Sequence, residues 1–172
     1  DYVYDATAQE FTFKVKVTNT GSVKGKGVAQ IYVECPWEAG QVEKSEVTLA
    51  GFAKTKILET GASETVTIGV KRDYFTSYDF RGEKAYLLDK GTYTFYLSSD
   101  EKGSHCWADA ATPKQTWNLD NKIVFNGSNK RVTDEKVATN VIDDELNYKF
   151  KTYEEGSTGD VFAHDMSRND FK

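Results

Sequence analysis

Adjacent carboxylates at Asp143 and Asp144 are the first residues of this sequence that could do chemistry. Two carboxyl groups can share the roles of acid and nucleophile on a glycosidic bond when they stand ~5–10 Å apart across a cleft. Side chains of adjacent residues usually point apart, however, and this pair lies in a strongly polar stretch. We therefore interpret the pair as part of a solvated loop.

Histidine and cysteine are the next candidates, since both can bind metals or act as nucleophiles. His105 precedes Cys106, and His164 precedes Asp165. A metal site needs a cluster of spaced ligands, and neither pair has one around it. The sequence also has no Gly-x-Ser-x-Gly motif and no phosphate-binding Gly-Lys loop. It therefore predicts no metal, no cofactor and no catalytic residue.

Three tryptophans, Trp37, Trp107 and Trp117, are the remaining candidates for a ligand site. We expect all three in loops rather than in strands, where an exposed indole ring could stack on the face of a sugar. The alternative is that the rings pin these loops to the body of the protein or to a neighbouring domain, because aromatic side chains dominate interface energetics. We favour this structural role and keep a carbohydrate-binding or adhesive module as the second interpretation.

The elements that must position these residues are β-strands. Residues 10–18 read Glu-Phe-Thr-Phe-Lys-Val-Lys-Val-Thr, so that apolar and polar side chains alternate without a break. Only an extended chain sorts such a pattern onto two faces. Similar runs recur between glycine-bearing turns, at residues 28–33, 47–52, 64–70, 84–88 and 92–98. The spacing predicts roughly seven strands before residue 100, arranged as an antiparallel β-sandwich.

Residue 100 is the predicted boundary between the sandwich, residues 1–100, and an irregular C-terminal extension, residues 101–172. Residues 122–125 predict one more strand, and residues 72–79 a short helical turn or corner within the sandwich. Beyond residue 129 apolar side chains are sparse, although residues 141–150 have the spacing of a short helix. Because such a segment buries too little apolar surface to fold alone, we expect a strap that lies along something else.

The overall composition excludes some partners. The chain of 172 residues has a net charge of −5 and no basic stripe, which argues against nucleic-acid binding. It has no apolar run long enough to span a membrane. Two cysteines, Cys35 and Cys106, predict free thiols in a reducing compartment, hence a cytoplasmic protein, with secretion as the alternative. Because the chain opens with Asp rather than Met, we expect a piece of something larger.

Several short motifs together resemble the fibronectin type III-like domain of family 3 glycoside hydrolases. They are the Asn-Thr-Gly turn at residues 19–21, the Leu-Ala-Gly-Phe element at residues 49–52 and the Gly-Thr-Tyr strand start at residues 91–93. The resemblance covers residues 10–100. It implies a fibronectin type III/immunoglobulin-like sandwich and a parent enzyme that hydrolyses terminal β-glucosides with retention.

The tail carries a second resemblance. Residues 163–171 look like the segment that leads into the catalytic barrel in members with permuted domain order, although Met166 and Phe171 replace the usual Leu and Trp. Asp170 is not the family's nucleophile, because neither that motif nor the acid/base motif has a counterpart here. The resemblance implies a non-catalytic module that clamps the catalytic barrel and the α/β sandwich domain of the same parent chain, without a cofactor.

Overall fold

Among the residues that the structure describes, extended strands account for nearly all of the regular structure, as the alternation predicts. The computed structural model describes residues 2–99 and 113–131. All strand pairs among these residues run antiparallel, which confirms the all-β fold class. The described strands are β1 Tyr2–Asp5, β2 Glu10–Thr18, β3 Val28–Glu34, β4 Thr48–Lys54, β5 Ser63–Lys71, β6 Ser77–Asp79, β7 Ala85–Leu88, β8 Gly91–Ser99, β9 Lys114–Leu119 and β10 Ile123–Phe125.

Two sheets face each other across the core. One has the strand order β1-β2-β5 and the other the order β4-β3-β8-β9. In the first sheet β2 pairs with β5 along its whole length, from Glu10 opposite Lys71 to Thr18 opposite Ser63. A smaller sheet, β10-β7-β6, follows a 3₁₀ turn at Arg72–Phe75. This turn confirms the first half of the helical turn or corner predicted at residues 72–79, whereas Ser77–Asp79 form β6, a strand that was not predicted.

Burial along the strands follows the predicted alternation. Phe11 and Phe13 on β2 are buried, while Lys14 and Lys16 between the apolar positions are exposed. The same period of two recurs on β5 and β8, because side chains of an extended chain point alternately to opposite faces. The largest fully buried side chains are Tyr93, Phe11, Phe95, Ile68, Leu87, Leu88, Val33 and Val70.

Phe11 is the centre of an aromatic cluster that joins the two sheets. Its ring stacks on Tyr4 at a centroid distance of 4.4 Å and lies 4.9 Å from Phe95 on the opposite sheet. Trp117 meets it edge-on at 5.2 Å, and Phe75 of the 3₁₀ turn lies at 6.0 Å. Such pairs add to the hydrophobic gain of burial because the ring edges and faces attract each other.

A hydrogen-bonded turn closes the end of the sandwich at which β2 finishes. The Asn19 side chain donates to the carbonyl oxygens of Val23 at 3.0 Å and Leu58 at 2.9 Å, and accepts from the Gly21 amide at 3.0 Å. These bonds explain why an Asn-x-Gly turn is found here. β4 ends at Lys54, and Leu58 pairs only through an isolated bridge to Gly25.

The sandwich includes strands on both sides of the predicted boundary at residue 100. β9, which the sequence did not predict, pairs with β8, and the Tyr2 hydroxyl donates to the Thr116 carbonyl oxygen at 2.9 Å. β10 confirms the strand predicted at residues 122–125, and it pairs with β7. Each of these strands pairs with a strand that is distant in sequence, and no local pattern reveals which strands pair.

Some predictions fall outside the described residues. They are the carboxylates Asp143 and Asp144, the histidine pairs, the helix at residues 141–150, the strap and the motif at residues 163–171. Within the described ranges, no helix is long and apolar enough to cross a membrane.

Replacing the central ring tests this account of the core. We expect Phe11→Ala to lower the free energy of unfolding by about 3–5 kcal/mol, because Phe11 is fully buried and its removal leaves a cavity between the sheets. Val3→Ala on the neighbouring strand is the control, since Val3 is 71% exposed, and should change stability by less than about 0.5 kcal/mol. Urea denaturation of both variants checks this, and equal losses would contradict the assignment of Phe11 to the core.

Candidate functional site

Trp117 belongs to the core. The expectation that it lies in a loop is wrong, because it is part of β9 and stands opposite Tyr93 of β8. Its ring lies 5.2 Å from Tyr93 and 5.5 Å from Tyr4, in addition to its edge contact with Phe11. The ring therefore packs against the core from within a strand, whereas the sequence analysis favoured rings that pin loops.

Trp37 lies in the loop after β3 and is partly buried, beside a shallow cleft of about 370 Å³. Carboxylate, amide and hydroxyl groups dominate the cleft wall, so that it offers hydrogen bonds as well as an indole. The lining residues are Glu34, Cys35, Pro36, Trp37, Glu38, Gln41, Lys90, Gly91, Thr92 and Thr94. Trp107 lies outside the described residues. Trp117, the other described tryptophan of the predicted set, does not line this cleft.

Two contacts fix the loop of residues 35–47 against the start of β8. Lys44 forms an almost fully buried ion pair with Asp89 and donates to the Pro36 carbonyl oxygen at 3.1 Å. Gly91 has a φ of +140°, and a Cβ placed there would stand 2.7 Å from the Cβ of Pro36. The backbone at Gly91 therefore lies so close to Pro36 that only glycine fits there, and this close contact shapes the cleft wall.

Hydrogen bonds hold several side chains in and beside the cleft. Glu34 accepts from the Tyr96 hydroxyl at 2.6 Å, and Gln41 accepts from the Glu38 amide at 3.1 Å. Burial raises the pKa of Tyr93, whose neutral hydroxyl donates to the Asp89 carbonyl oxygen at 2.8 Å. In the part of the chain that the structure describes, no group of His, Cys, Asp and Glu could hold a metal.

A second surface, which the sequence analysis did not identify, lies on the small sheet. Tyr78 of β6 and Tyr86 of β7 are cross-strand partners with ring centroids 5.2 Å apart, and they are 48% and 38% exposed. The Arg131 guanidinium carbon lies 3.5 Å above the Tyr86 ring. We call Tyr78, Tyr86 and Arg131 the tyrosine–arginine face.

The turn between β6 and β7 holds this face in place. The Asp79 carboxylate accepts backbone hydrogen bonds from Arg81 at 3.2 Å, Gly82 at 2.8 Å and Glu83 at 3.0 Å. The bonds from Glu83 and Gly82 stabilise the charged form and lower the pKa of Asp79. The sequence around Tyr78 gave no signal of this face, because Tyr78 and Arg131 are separated by 53 positions in the chain.

The topology defines an immunoglobulin-like antiparallel β-sandwich. Residues 27–101 match the fibronectin type III-like domain family. The chain thus carries a fibronectin type III-like domain, as the sequence motifs suggested.

Relatives of this chain are β-glucosidases. It is 36% identical over 129 residues to β-glucosidase A of Butyrivibrio fibrisolvens, covering 73% of this chain and 15% of that protein. It is 39% identical over 98 residues to a β-glucosidase of Ruminococcus albus, covering 54% of this chain and 10% of that protein. The chain therefore spans only a small part of the relatives that it matches.

Solved structures support the same relationship. The sandwich superposes on a β-glucosidase from Paenibacillus barengoltzii with a TM-score of 0.59 and 29% identity, covering 72% of this chain and 14% of that one. The β-glucosidase 3B of Thermotoga neapolitana shares the fold, with a TM-score of 0.55 at 24% identity, over 74% of this chain and 16% of that one.

The close approach at Gly91 can be tested by adding one methyl group. We expect Gly91→Ala to lower the free energy of unfolding by more than about 1 kcal/mol, because the new Cβ meets Pro36 and the positive φ strains any other residue. Gly25→Ala is the control, since a Cβ at Gly25 meets nothing within 4 Å. Thermal unfolding of both variants measures the difference, and equal stabilities would refute the steric account.

Proposed function

We propose that this chain is the non-catalytic fibronectin type III-like module of a β-glucosidase-like family 3 glycoside hydrolase, and that it clamps the catalytic domains of the parent enzyme. The observation that carries the proposal is the relationship to β-glucosidases over 73% of this chain but 15% of the relative. The remainder of such a protein has room for a catalytic barrel and an α/β sandwich domain. We further propose the permuted order, with the barrel after this module.

Three of the described carboxylates have structural roles, which supports a non-catalytic module. Asp79 caps a turn, Asp89 pairs with Lys44, and Asp5 accepts from the backbone amides of Thr7 at 2.8 Å and Ala8 at 3.0 Å. Retaining glycoside hydrolysis needs two carboxyl groups ~5–5.5 Å apart on either side of the scissile bond. In the proposal, the other domains of the parent supply that pair.

Exposed apolar side chains on this module support a role in interdomain contact. Phe52 on β4 is 61% exposed, Phe80 in the β6–β7 turn is 59% exposed, and Ile57 after β4 is 59% exposed. Large apolar side chains in contact with water are what a neighbouring domain would cover. The rigid core behind them would let the module hold two domains in a fixed relation.

The coding frame on both sides of Asp1 and Lys172 tests the proposal directly. We expect an α/β sandwich domain upstream and a barrel downstream. We also expect this chain alone to leave p-nitrophenyl β-glucoside unhydrolysed while the full parent protein cleaves it. A stop codon shortly after Lys172, with no barrel on either side, would contradict the enzyme context.

A carbohydrate-binding module is the second candidate, and the cleft beside Trp37 favours it. An indole next to Glu38, Gln41 and two threonines could combine stacking on a sugar face with hydrogen bonds to its hydroxyl groups. Trp107 remains a candidate contact in this alternative. Trp117 contributes to it only through the core that supports β8.

Titration with a soluble β-glucan distinguishes the two candidates. The clamp proposal predicts no saturable change in tryptophan fluorescence of the isolated chain. Carbohydrate binding predicts saturable quenching that Trp37→Ala abolishes and that Phe52→Ala, a change of an exposed ring elsewhere on the sandwich, leaves intact. Isothermal titration calorimetry of the chain and of each variant with the same glucan checks whether an optical change reports binding.

A further inference from the structure

Strand β2 has a partner along its whole length on one side only. On the β5 side, all of its residues from Glu10 to Thr18 are paired. On the β1 side the described pairing covers only Glu10 to Phe13, because Tyr2 at the start of β1 stands opposite Phe13. Among the residues that the structure describes, no strand pairs with residues 14–18 on that side. An open row of backbone donors and acceptors is a template for a further strand.

An apolar groove opens beside this free edge. It has a volume of about 180 Å³ and lies between β2 and the paired strands β8 and β9. The apolar residues in its lining include Phe13, Val15, Ile31, Phe95 and Leu97. Val15 and Leu97 are only partly buried, whereas the other three belong to the buried core. Because an apolar cavity of roughly 150 Å³ holds a benzene molecule, the groove has room for one aromatic ring.

The groove begins where the described part of β1 starts. The Tyr2 ring lies 5.5 Å from Phe13 and 5.9 Å from Phe95, two of the residues that line the groove. Its hydroxyl donates to the Thr116 carbonyl oxygen at 2.9 Å and so ties this end of β1 to β9. A strand that continued β1 beyond Tyr2 would therefore run along the groove. Every second side chain of that strand would lie over the core, because successive side chains alternate between the two faces of a sheet.

Charge on the outer face of β2 specifies which strand would fit. Lys14 and Lys16 are exposed, and the residues opposite them on β5 are neutral threonines. Opposite charges on directly opposed residues of neighbouring strands stabilise a sheet. A strand paired with the free edge would therefore fit best with acidic side chains opposite these lysines. Opposite Val15 and Val17, which are partly buried against the core, it would carry apolar side chains.

We propose that the free edge of β2 at residues 14–18 binds an extended strand of alternating acidic and apolar residues, and that this strand is the segment of the parent chain directly before Asp1. The proposal specifies one contact of the proposed function and rests on it, because the parent chain supplies the strand. Continuity with the β1–β2 pairing supports this occupant. The same register, carried on, sets the first residue before Asp1 opposite Val15 and the third opposite Val17. One of these two apolar side chains would fill the groove.

Hydrogen–deuterium exchange of the full parent protein and of this chain alone tests the proposal. We expect those amides of residues 14–18 that face the free edge to exchange about tenfold more slowly in the parent. In the parent, replacing the first and third residues before Asp1 with Asp should remove most of this protection, since charged side chains would then face the groove. Replacing the second and fourth with Ser is the matched control, because these positions face solvent, and should keep most of it.

A second measurement does not depend on the folding of the parent variants. This chain, extended at its N-terminus by the eight residues that precede Asp1 in the coding frame, should show the same slow exchange at residues 14–18 without any other domain. Its midpoint of thermal unfolding should also lie above that of this chain, because the added strand covers apolar surface in the groove.

Three outcomes would overturn the proposal. Equally fast exchange of residues 14–18 in this chain, the extended chain and the parent would show that the edge stays open. Slow exchange in this chain alone would assign the edge to a second copy if it depends on concentration, and to another segment of this chain if it does not. Protection in the parent that survives the Asp replacements would assign the edge to a different domain.

The coding frame separates this proposal from the proposed function. If the frame holds the enzyme domains but the edge stays open, the proposed function stands and the added strand fails. If those domains are absent and the extended chain still shows slow exchange, the proposed function fails and the strand is confirmed.

Discussion

The packing of aromatic rings between two antiparallel sheets is the constraint on which the rest of this structure depends. Phe11 contacts rings from β1, β8, β9 and the 3₁₀ turn, so that four separate parts of the chain meet at one side chain. Burial of apolar surface is the main favourable term in folding, and rings bury more of it than other side chains. The register of β2 against β5, with Phe11 opposite Val70, places that ring in the core.

Both candidate surfaces follow from this core. β8 carries Tyr93 and Phe95 inward, and its first residue, Gly91, lies against Pro36 and so shapes the cleft beside Trp37. The 3₁₀ turn inserts Phe75 into the core, and the small sheet that follows it presents Tyr78 and Tyr86 at the same end. The two surfaces differ in chemistry: the cleft is polar with one indole, whereas the face combines two rings with a guanidinium.

The structure changes the meaning of the residues that first suggested chemistry. Trp117 was a candidate for sugar stacking, but its ring packs against Phe11, Tyr93 and Tyr4. An edge strand can in this way add one large ring to the core. Trp37 alone among the described candidates lines a cleft. The tyrosine–arginine face contains no tryptophan, and the search for tryptophans therefore did not locate it.

The sequence by itself determined the strands β2 to β5, β7 and β8, together with the turns at Asn19 and Gly91 and the class of fold. It could do so because alternation, glycine and proline act on the local backbone, within a few residues. Only the tertiary structure decided that the polar segment Lys114–Leu119 forms β9, and that Tyr78, Tyr86 and Arg131 share one surface. Those placements depend on pairing between residues far apart in the chain, where the free energy comes from the shared core and not from any local preference.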